Sequence, residues 1–203
     1  MNPIETVLGP GPSGASLYLQ PQNLGNANNF GAEFLVKKFF GDIGLSANYT
    51  YTQSKITTSK IIDVQNIGVT HRDQTRPLQD QAVHIGNISL LYKNTKNGID
   101  AQLALAYTGE RIAYVSGYYN LDTWEKASTT LDFSAQKTIG KRFIVFVKVN
   151  NILNTPYELY IKQDNTNNYT GILKYPHQES PDHTTVEYDQ YYARYNLGCR
   201  FKF

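Results

Sequence analysis

"YYARYNLGCRFKF", Tyr191 to Phe203, alternates between two kinds of residue up to its last position. Phe203, Phe201, Cys199, Leu197, Tyr195, Ala193 and Tyr191 share one face, while Lys202, Arg200, Gly198, Asn196, Arg194 and Tyr192 share the other. A β-strand sends successive side chains to opposite sides, so this stretch builds one apolar and one polar wall. Chain ends ordinarily fray and are polar. This one finishes as a committed strand.

The same period recurs upstream. In "DIGLSANYTYT", from Asp42, Ile43, Leu45, Ala47, Tyr49 and Tyr51 oppose Gly44, Ser46, Asn48, Thr50 and Thr52. In "GIDAQLALAYTGE", from Gly98, Ile99, Ala101, Leu103, Leu105 and Tyr107 oppose Asp100, Gln102, Ala104, Ala106 and Thr108. "TTLDFSAQKT" sets Leu131, Phe133 and Ala135 against Asp132, Ser134 and Gln136, and "FGAEFLVKKF" sets Phe30, Ala32, Phe34 and Val36 against Glu33 and Lys37. "AVHIGNISLLYK" and "RFIVFVKVNN" read as strands with apolar residues on both sides. No segment carries the 3.6-residue period of a helix. These segments give about seven strands, or eight if "SGASLYLQ" (Ser13 to Gln20) is counted, by alternation and turn signals.

The connections alternate as strictly as the strands. "FFGD" (Phe39 to Asp42), "KNTKNG" (Lys93 to Gly98) and "TIGKR" (Thr138 to Arg142) are tight, with glycine or asparagine to supply positive φ. Between them lie long polar stretches, Gln53 to Gln79, Gly117 to Lys126 and Asn154 to Glu187. Antiparallel strands with short turns at one end and long loops at the other have the layout of an outer-membrane barrel. Aromatic residues sort by end as well. Tyr49, Tyr51, Tyr107, Tyr191 and Tyr195 fall toward the long loops, and Phe39, Phe40, Tyr92, Phe143, Phe201 and Phe203 toward the tight turns. Transmembrane barrels carry such girdles at both interfaces. A preference of aromatics for strands predicts no sorting by end.

Composition bounds the function. The chain has 203 residues, 16 tyrosines, one cysteine and a net charge of +2. Near-balanced charge makes no electrostatic case for nucleic acid. A single cysteine leaves no intramolecular disulfide and no cysteine-based zinc cluster. No apolar run reaches the roughly 18 residues of a transmembrane helix, and "MNPIETVLGPGPSG" lacks the basic start and apolar core of a signal peptide. Barrel strands escape such scans because half their residues are polar.

Several stretches together resemble the C-terminal barrel portion of TonB-dependent outer-membrane receptors, especially of the Bacteroidota-like kind. They are "NLGNANNFGAEFLVKK" (Asn23 to Lys38), "RPLQDQAVHIGNISLLYKN" (Arg76 to Asn94), "AYTGERIAYV" (Ala106 to Val115) and "TTLDFSAQKTIGKRFIVFVKVNNILNTPYELY" (Thr129 to Tyr160). The last leads into a V-x-N-x-x-N-x-x-Y pattern, and the family ends on an aromatic, as here at Phe203. The resemblance implies an all-β fold: an antiparallel up-and-down transmembrane segment of a larger barrel of the 22-stranded, plugged type. It implies placement in the cell outer membrane of a Gram-negative bacterium and uptake of a siderophore, vitamin or oligosaccharide. Implied partners are outer-membrane lipid, the barrel-assembly machinery, and a plug and further strands through which an energy-coupling protein acts. No plug is recognised in residues 1–203, so the expectation is a C-terminal portion, a truncated reading frame or one piece of a split barrel. The aromatic-terminated last strand, with Tyr195, Leu197, Phe201 and Phe203, resembles the family's assembly signal.

No catalytic constellation, cofactor motif or metal site is expected. There is no G-x-S-x-G elbow, and "GPGPSG" is turn-rich rather than a phosphate cradle. His71, His84, His177 and His183 are too far apart for a short ligand motif, and the carboxylates Glu179, Asp182 and Glu187 beside the last two fit a hydrated loop equally well. Asn165, Asn168 and Tyr169, in "KQDNTNNYTG", are the ligand-contacting candidates of the last outer loop, because amides and phenols are adaptable hydrogen-bonding groups. The lumen-facing set expected is Glu33, Lys37, Asn48, Gln102, Asp132, Gln136, Lys148, Arg194 and Arg200. Two other readings remain open: a smaller porin-like or adhesin-like outer-membrane barrel, closed by oligomerisation or a partner chain, and a soluble carbohydrate-binding β-sandwich.

Overall fold

A computed structural model describes residues 3–10, 17–64, 68–140, 142–162 and 183–203. The described residues contain fourteen strands and no helix. In chain order they are β1 (Ile4–Pro10), β2 (Leu17–Asn23), β3 (Ala27–Phe40), β4 (Ile43–Val64), β5 (Gly68–Arg76), β6 (His84–Asn94) and β7 (Ile99–Thr108). There follow β8 (Arg111–Ser116), β9 (Thr123–Glu125), β10 (Ser128–Ile139), β11 (Phe143–Asn150), β12 (Tyr157–Ile161), β13 (Thr184–Asp189) and β14 (Arg194–Phe201).

The seven alternating segments read from the sequence are β3, β4, β6, β7, β10, β11 and β14. They form one antiparallel meander in the order β14-β11-β10-β7-β6-β4-β3, with β5 added beside the outer half of β4. The sheet is open, since β3 and β14 each pair on one side only among the described residues. Each tight connection carries a glycine at φ +62° (Gly41, Gly98 and Gly140), a left-handed conformation that glycine enters without a Cβ clash.

The expectation of seven or eight strands is corrected to fourteen, because the stretches read as long polar loops fold into hairpins. β4 runs on past Tyr51 to Val64 and pairs with β5; β8 and β9 join β7 to β10; β12 and β13 join β11 to β14. Neighbouring hairpins then pair with each other through β9 and β12. The resulting second sheet, β13-β12-β9-β8-β1-β2, repeats the strand order of the wall below it and adds β1 in parallel beside β8. Its packed centre is Val7, Ile112 and Val115, with Leu24 and Trp124 against them.

Alternation tells where this cap sits. Along β4, Ser54, Ile56, Thr58, Lys60 and Ile62 are buried while Lys55, Thr57 and Ser59 are exposed. The buried set continues the face that holds Gly44, Ser46, Asn48 and Thr50 lower on the strand. The cap therefore covers the polar-wall side of the outer extension and leaves the apolar wall bare. Two buried ion pairs fix it there: Lys60 Nζ to Asp122 at 2.6 Å, and Arg76 to Glu5 through two bonds of 2.6 and 3.1 Å. Asp122 also accepts the Ser116 amide at 2.7 Å, and Glu5 the Gln79 amide at 2.7 Å. Burial pushes Lys60 below the ordinary lysine range, and Asp122 offsets part of that shift.

On the polar side of the wall, two glycines are covered by aromatic rings across the ladder. Phe39 lies over its partner Gly44, and Phe146 over Gly198. A Cβ at either glycine would meet a ring atom at 2.6 Å, so each ring occupies the space a side chain would need. Phe39, expected in the tight-turn girdle, thus lies on the polar side of the wall instead. Replacing Gly198 by Ala should destabilise the wall by about 1–3 kcal/mol through overpacking, and Phe146→Ala in the same chain should recover part of that loss. Denaturant titration of the single and double variants in lipid measures it; additive losses would mean that the ring and the glycine are not coupled.

Candidate functional site

Two surfaces carry functional chemistry: the two faces of the wall and the outer cap. Hydrogen-bonded register brings most of the apolar positions of the seven wall strands onto one face, while Leu35, Ile85, Leu91 and Ile144 join Phe39 and Phe146 on the other. Leu45, Leu90, Leu103, Phe133, Val149 and Tyr195 form a single cross-strand row. Ile43, Tyr92, Ala101, Ala135, Val147 and Leu197 form the row beneath it. These side chains are exposed to an extent that water would not support, with Phe34 at 64%, Leu90 at 53% and Leu197 at 81%.

The apolar band has a defined height. On β4 the bare face is apolar from Ile43 to Tyr51, the nine residues paired with β6, and becomes Gln53, Lys55, Thr57 and Ser59 beyond. A tilted strand needs about 9–11 residues to cross a bilayer. At the upper border the Tyr49 hydroxyl meets His84 Nδ1 at 2.7 Å, and Tyr51 packs on the same imidazole with ring centres 5.5 Å apart. At the lower border Phe201 and Phe203 meet edge to face at 5.4 Å. Tyrosine, with one polar handle on its ring, suits a headgroup boundary, and barrels carry aromatic girdles at both borders.

The opposite face is a polar network. Asn87 donates to Asn48 at 2.8 Å, Gln102 to Ser89 at 3.2 Å, Gln136 to Asp100 at 2.9 Å and Arg200 to Gln136 at 3.1 Å. The Arg200 guanidinium also lies over the Phe146 ring at 5.0 Å. Glu33, Lys37, Asn48, Gln102, Asp132, Gln136, Lys148, Arg194 and Arg200 all lie on this face by register. A shallow depression of about 240 Å³ opens here, near the tight turns, between Phe39, Lys93, Asp100, Gln136, Phe146 and Arg200.

The V-x-N-x-x-N-x-x-Y stretch has a specific task at the outer end of β11. Asn151 (φ 52°) and Asn154 (φ 55°) turn the chain in left-handed conformations that asparagine tolerates better than most residues. Asn151 accepts the Thr155 amide at 2.9 Å and donates to the Tyr191 carbonyl at 2.5 Å; Asn154 accepts the Ala193 amide at 2.8 Å. The Asn151 amide in turn reaches Asp132 on β10 at 2.8 Å. The motif ties the exit of β11 to the entry of β14, which it must do because some forty residues intervene between them.

On the cap, an aromatic and charged ledge joins β8, β9, β12 and β13. Glu158, buried on β12, takes His183 Nε2 at 2.6 Å and Lys126 Nζ at 2.8 Å. The Tyr160 ring stacks on His183 at 4.3 Å and its hydroxyl donates to Glu110 at 2.7 Å. Lys162 pairs with Glu110 and lies 3.9 Å above the Trp124 ring. Burial works to raise both carboxyls, yet the hydrogen bonds from Lys126 and His183 to Glu158, and from Lys162 and Tyr160 to Glu110, hold each below its ordinary value. Desolvation and the Glu110 carboxylate push the Tyr160 phenol upward. Sequence reading missed this ledge: its members are scattered from Glu110 to His183, and only strand pairing brings them together.

Of the residues singled out in the sequence, Tyr195, Leu197 and Phe201 lie on β14 with Phe203 just beyond, all exposed on the apolar face. Asn165, Asn168 and Tyr169, with His177, Glu179 and Asp182, lie outside the described residues. Among the described residues no group of three metal-ligating side chains is present.

An antiparallel wall with a bare apolar band, ringed borders, a polar inner face and elaborated outer hairpins defines a transmembrane β-barrel wall. The family described as TonB dependent receptor-like, beta-barrel, matches residues 2–152, and the chain belongs to that family. The family is an outer-membrane transporter family rather than an enzyme family. No curated protein matches the chain, and no solved structure does.

Because Glu158 is held below the ordinary 4.5 in the folded cap, its contacts with Lys126 and His183 contribute stability above that pH and lose it as pH falls through the lowered value. Pepsin should therefore cut β12 and β13 faster below pH 4.5 than just above it. Glu158→Gln should weaken the ledge at higher pH and flatten this dependence. An unchanged pH profile in the variant would assign the acid sensitivity elsewhere.

Proposed function

We propose that the chain is the C-terminal part of the wall of an outer-membrane receptor barrel for a siderophore, vitamin or oligosaccharide, with the plug and further strands lying outside residues 1–203. The observation that carries this reading is the bare apolar band, of bilayer height on β4, continuous in register across seven strands. A soluble sandwich would bury that face against its second sheet. Here the second sheet rests on the other side and leaves the band uncovered.

In this reading the polar network faces the lumen and plug, and the cap hairpins face the medium. Ligand capture falls to the cap and to the loop with Asn165, Asn168 and Tyr169. Transport energy comes through the plug from an energy-coupling protein. Tyr195, Leu197, Phe201 and Phe203 supply the strand read by the assembly machinery, since an alternating apolar edge can add to another sheet by β-augmentation.

In a folding titration of the full-length barrel into lipid, Leu103→Arg should cost about 2–4 kcal/mol near the bilayer midplane, and the neighbouring Gln102→Arg far less. Equal costs would show that the two faces are not lipid and lumen. Deleting Phe203 should lower the heat-modifiable band in outer-membrane fractions while sparing refolding in detergent. One interfacial ring contributes at most about 1.5–3 kcal/mol of burial, which a large barrel absorbs. A parallel fall in both yields would make Phe203 a structural anchor and not a signal.

A further inference from the structure

Charge is divided unevenly between the two ends of the wall. Nine of the chain's 19 lysines and arginines fall within residues 37–45, 91–102, 134–146 and 198–203, the tight-turn end, but only two of its 17 aspartates and glutamates. That leaves ten cations against fifteen carboxylates everywhere else. Partnering differs as well. Above the membrane Lys60, Arg76, Arg111, Lys126 and Lys162 each meet a carboxylate. At the tight-turn end the two carboxylates accept from side-chain amides instead, Asp42 from Asn94 at 2.6 Å and Asp100 from Gln136 at 2.9 Å. Among the described residues no ion pair neutralises a cation there.

Two of these cations stand on the apolar face. "KFFG" (Lys38 to Gly41) and "KTIG" (Lys137 to Gly140) each set a lysine three residues, and an apolar side chain one residue, ahead of the left-handed glycine of a tight turn. Register places Lys38 beside Leu45, and Lys137 between Ile99 and Val145. Both lysines are exposed on that face. Three residues of strand put each Cα about 10 Å from its turn. The amines bend toward the turns. Lys38 Nζ lies 5.8 Å from the centre of the Phe40 ring, and Lys137 Nζ donates to the Asn97 carbonyl in the neighbouring turn, one residue from Lys96. A lysine that lays its stem along an apolar surface and carries its charge to the border is snorkelling. Phe40, Ile139, Phe143 and Phe201 share the same face nearer the turns.

From these observations we infer that the tight-turn border binds the phosphate of a phospholipid of net negative charge, with Lys38 and Lys137 as its contacts. The inference rests on the membrane-wall reading above. Position selects lipid over an acidic protein. A soluble partner approaching the turns meets Lys96 and Arg142 first, whereas Lys38 and Lys137 stand behind them on the lipid side. Charge selects the kind of lipid. A zwitterionic head carries its own ammonium beside the phosphate, while an anionic head leaves a charge for the lysine. One lysine near a charged membrane surface is worth about a fivefold preference, and the preference falls with salt.

The test uses the full-length barrel in a Cys199→Ser background, with a bimane fluorophore on Ile139→Cys, or on Tyr107→Cys toward the cap as reference. Vesicles of phosphatidylcholine contain brominated phosphatidylglycerol or brominated phosphatidylcholine, which quench the fluorophore on contact. Phosphatidylglycerol should be preferred about fivefold at Ile139→Cys and not at all at Tyr107→Cys. Lys137→Gln should remove the preference while both lipids still quench, and Lys137→Arg should keep it. Phe40→Cys, read with Lys38→Gln, repeats the measurement at the other hairpin. Equal quenching by the two lipids at either hairpin, or a preference that survives the glutamine variants, overturns the inference. So does shielding of Lys137 from amine acylation by polyglutamate and not by phosphatidylglycerol, which would assign the border to an acidic protein. Absence of quenching by either lipid at all three positions defeats the membrane-wall reading, whereas quenching without preference defeats only this inference.

Discussion

The structure depends on one constraint: inside a bilayer every backbone amide and carbonyl must find a partner in the protein. Seven strands meet it by an antiparallel ladder that runs from β3 to β14 without a register shift at any membrane-level pair. Register then does more than satisfy hydrogen bonds. Because side chains alternate with period two, a slip by one residue would exchange the two faces of a strand, turning residues such as Leu103 to the polar side and Gln102 to the apolar one. The row from Leu45 to Tyr195 and the polar network from Asn48 to Arg200 are two consequences of a single alignment.

Above the membrane the constraint relaxes, and the chain changes its chemistry within one strand. β4 crosses the boundary at Tyr51: below it the outward face is aliphatic and aromatic, above it lysine, threonine and serine. The inward face changes in the opposite sense, from hydrated amides to a buried surface with Ile56 and Ile62 packed beneath the cap. Water is available there to satisfy edges, so bulges, a parallel pairing and short strands all appear in the cap and none in the wall. Two buried ion pairs hold the layers together. Each carboxylate also accepts a backbone amide, the kind of further hydrogen bonding a buried pair needs to offset its desolvation.

This division explains what could be read from the sequence. All seven wall strands were legible, since lipid on one side and water on the other impose strict alternation on segments such as "GIDAQLALAYTGE". The cap was not legible. β5, "GVTHRDQTR", reads as a hydrated loop, yet Arg76 is buried because Glu5, remote in sequence, neutralises it. Lys60 is hidden in the same way by Asp122. β9 is three residues long, too short for any period to show, and is defined only by its partners β8 and β12. The Glu158 ledge was invisible for the same reason. The asparagine motif was visible as a pattern, but its physical task emerged only when Asn151 and Asn154 were seen to hold the carbonyls and amides of residues near Tyr191.

The cap and the wall also differ in what they can tolerate, and function follows from that difference. Wall positions answer to lipid, register and the lumen at once, so a residue such as Gly198 is fixed by the ring of Phe146 across the ladder. Cap hairpins answer mainly to each other. Their strand order copies the wall beneath, which means that new outer surface can be built by lengthening hairpins without altering a single membrane pairing. A receptor that must recognise a particular ligand outside while keeping a barrel intact needs that separation. The wall supplies an invariant frame through backbone bonds. The cap supplies a surface, from Trp124 to His183, whose side chains are held by one another and not by the wall.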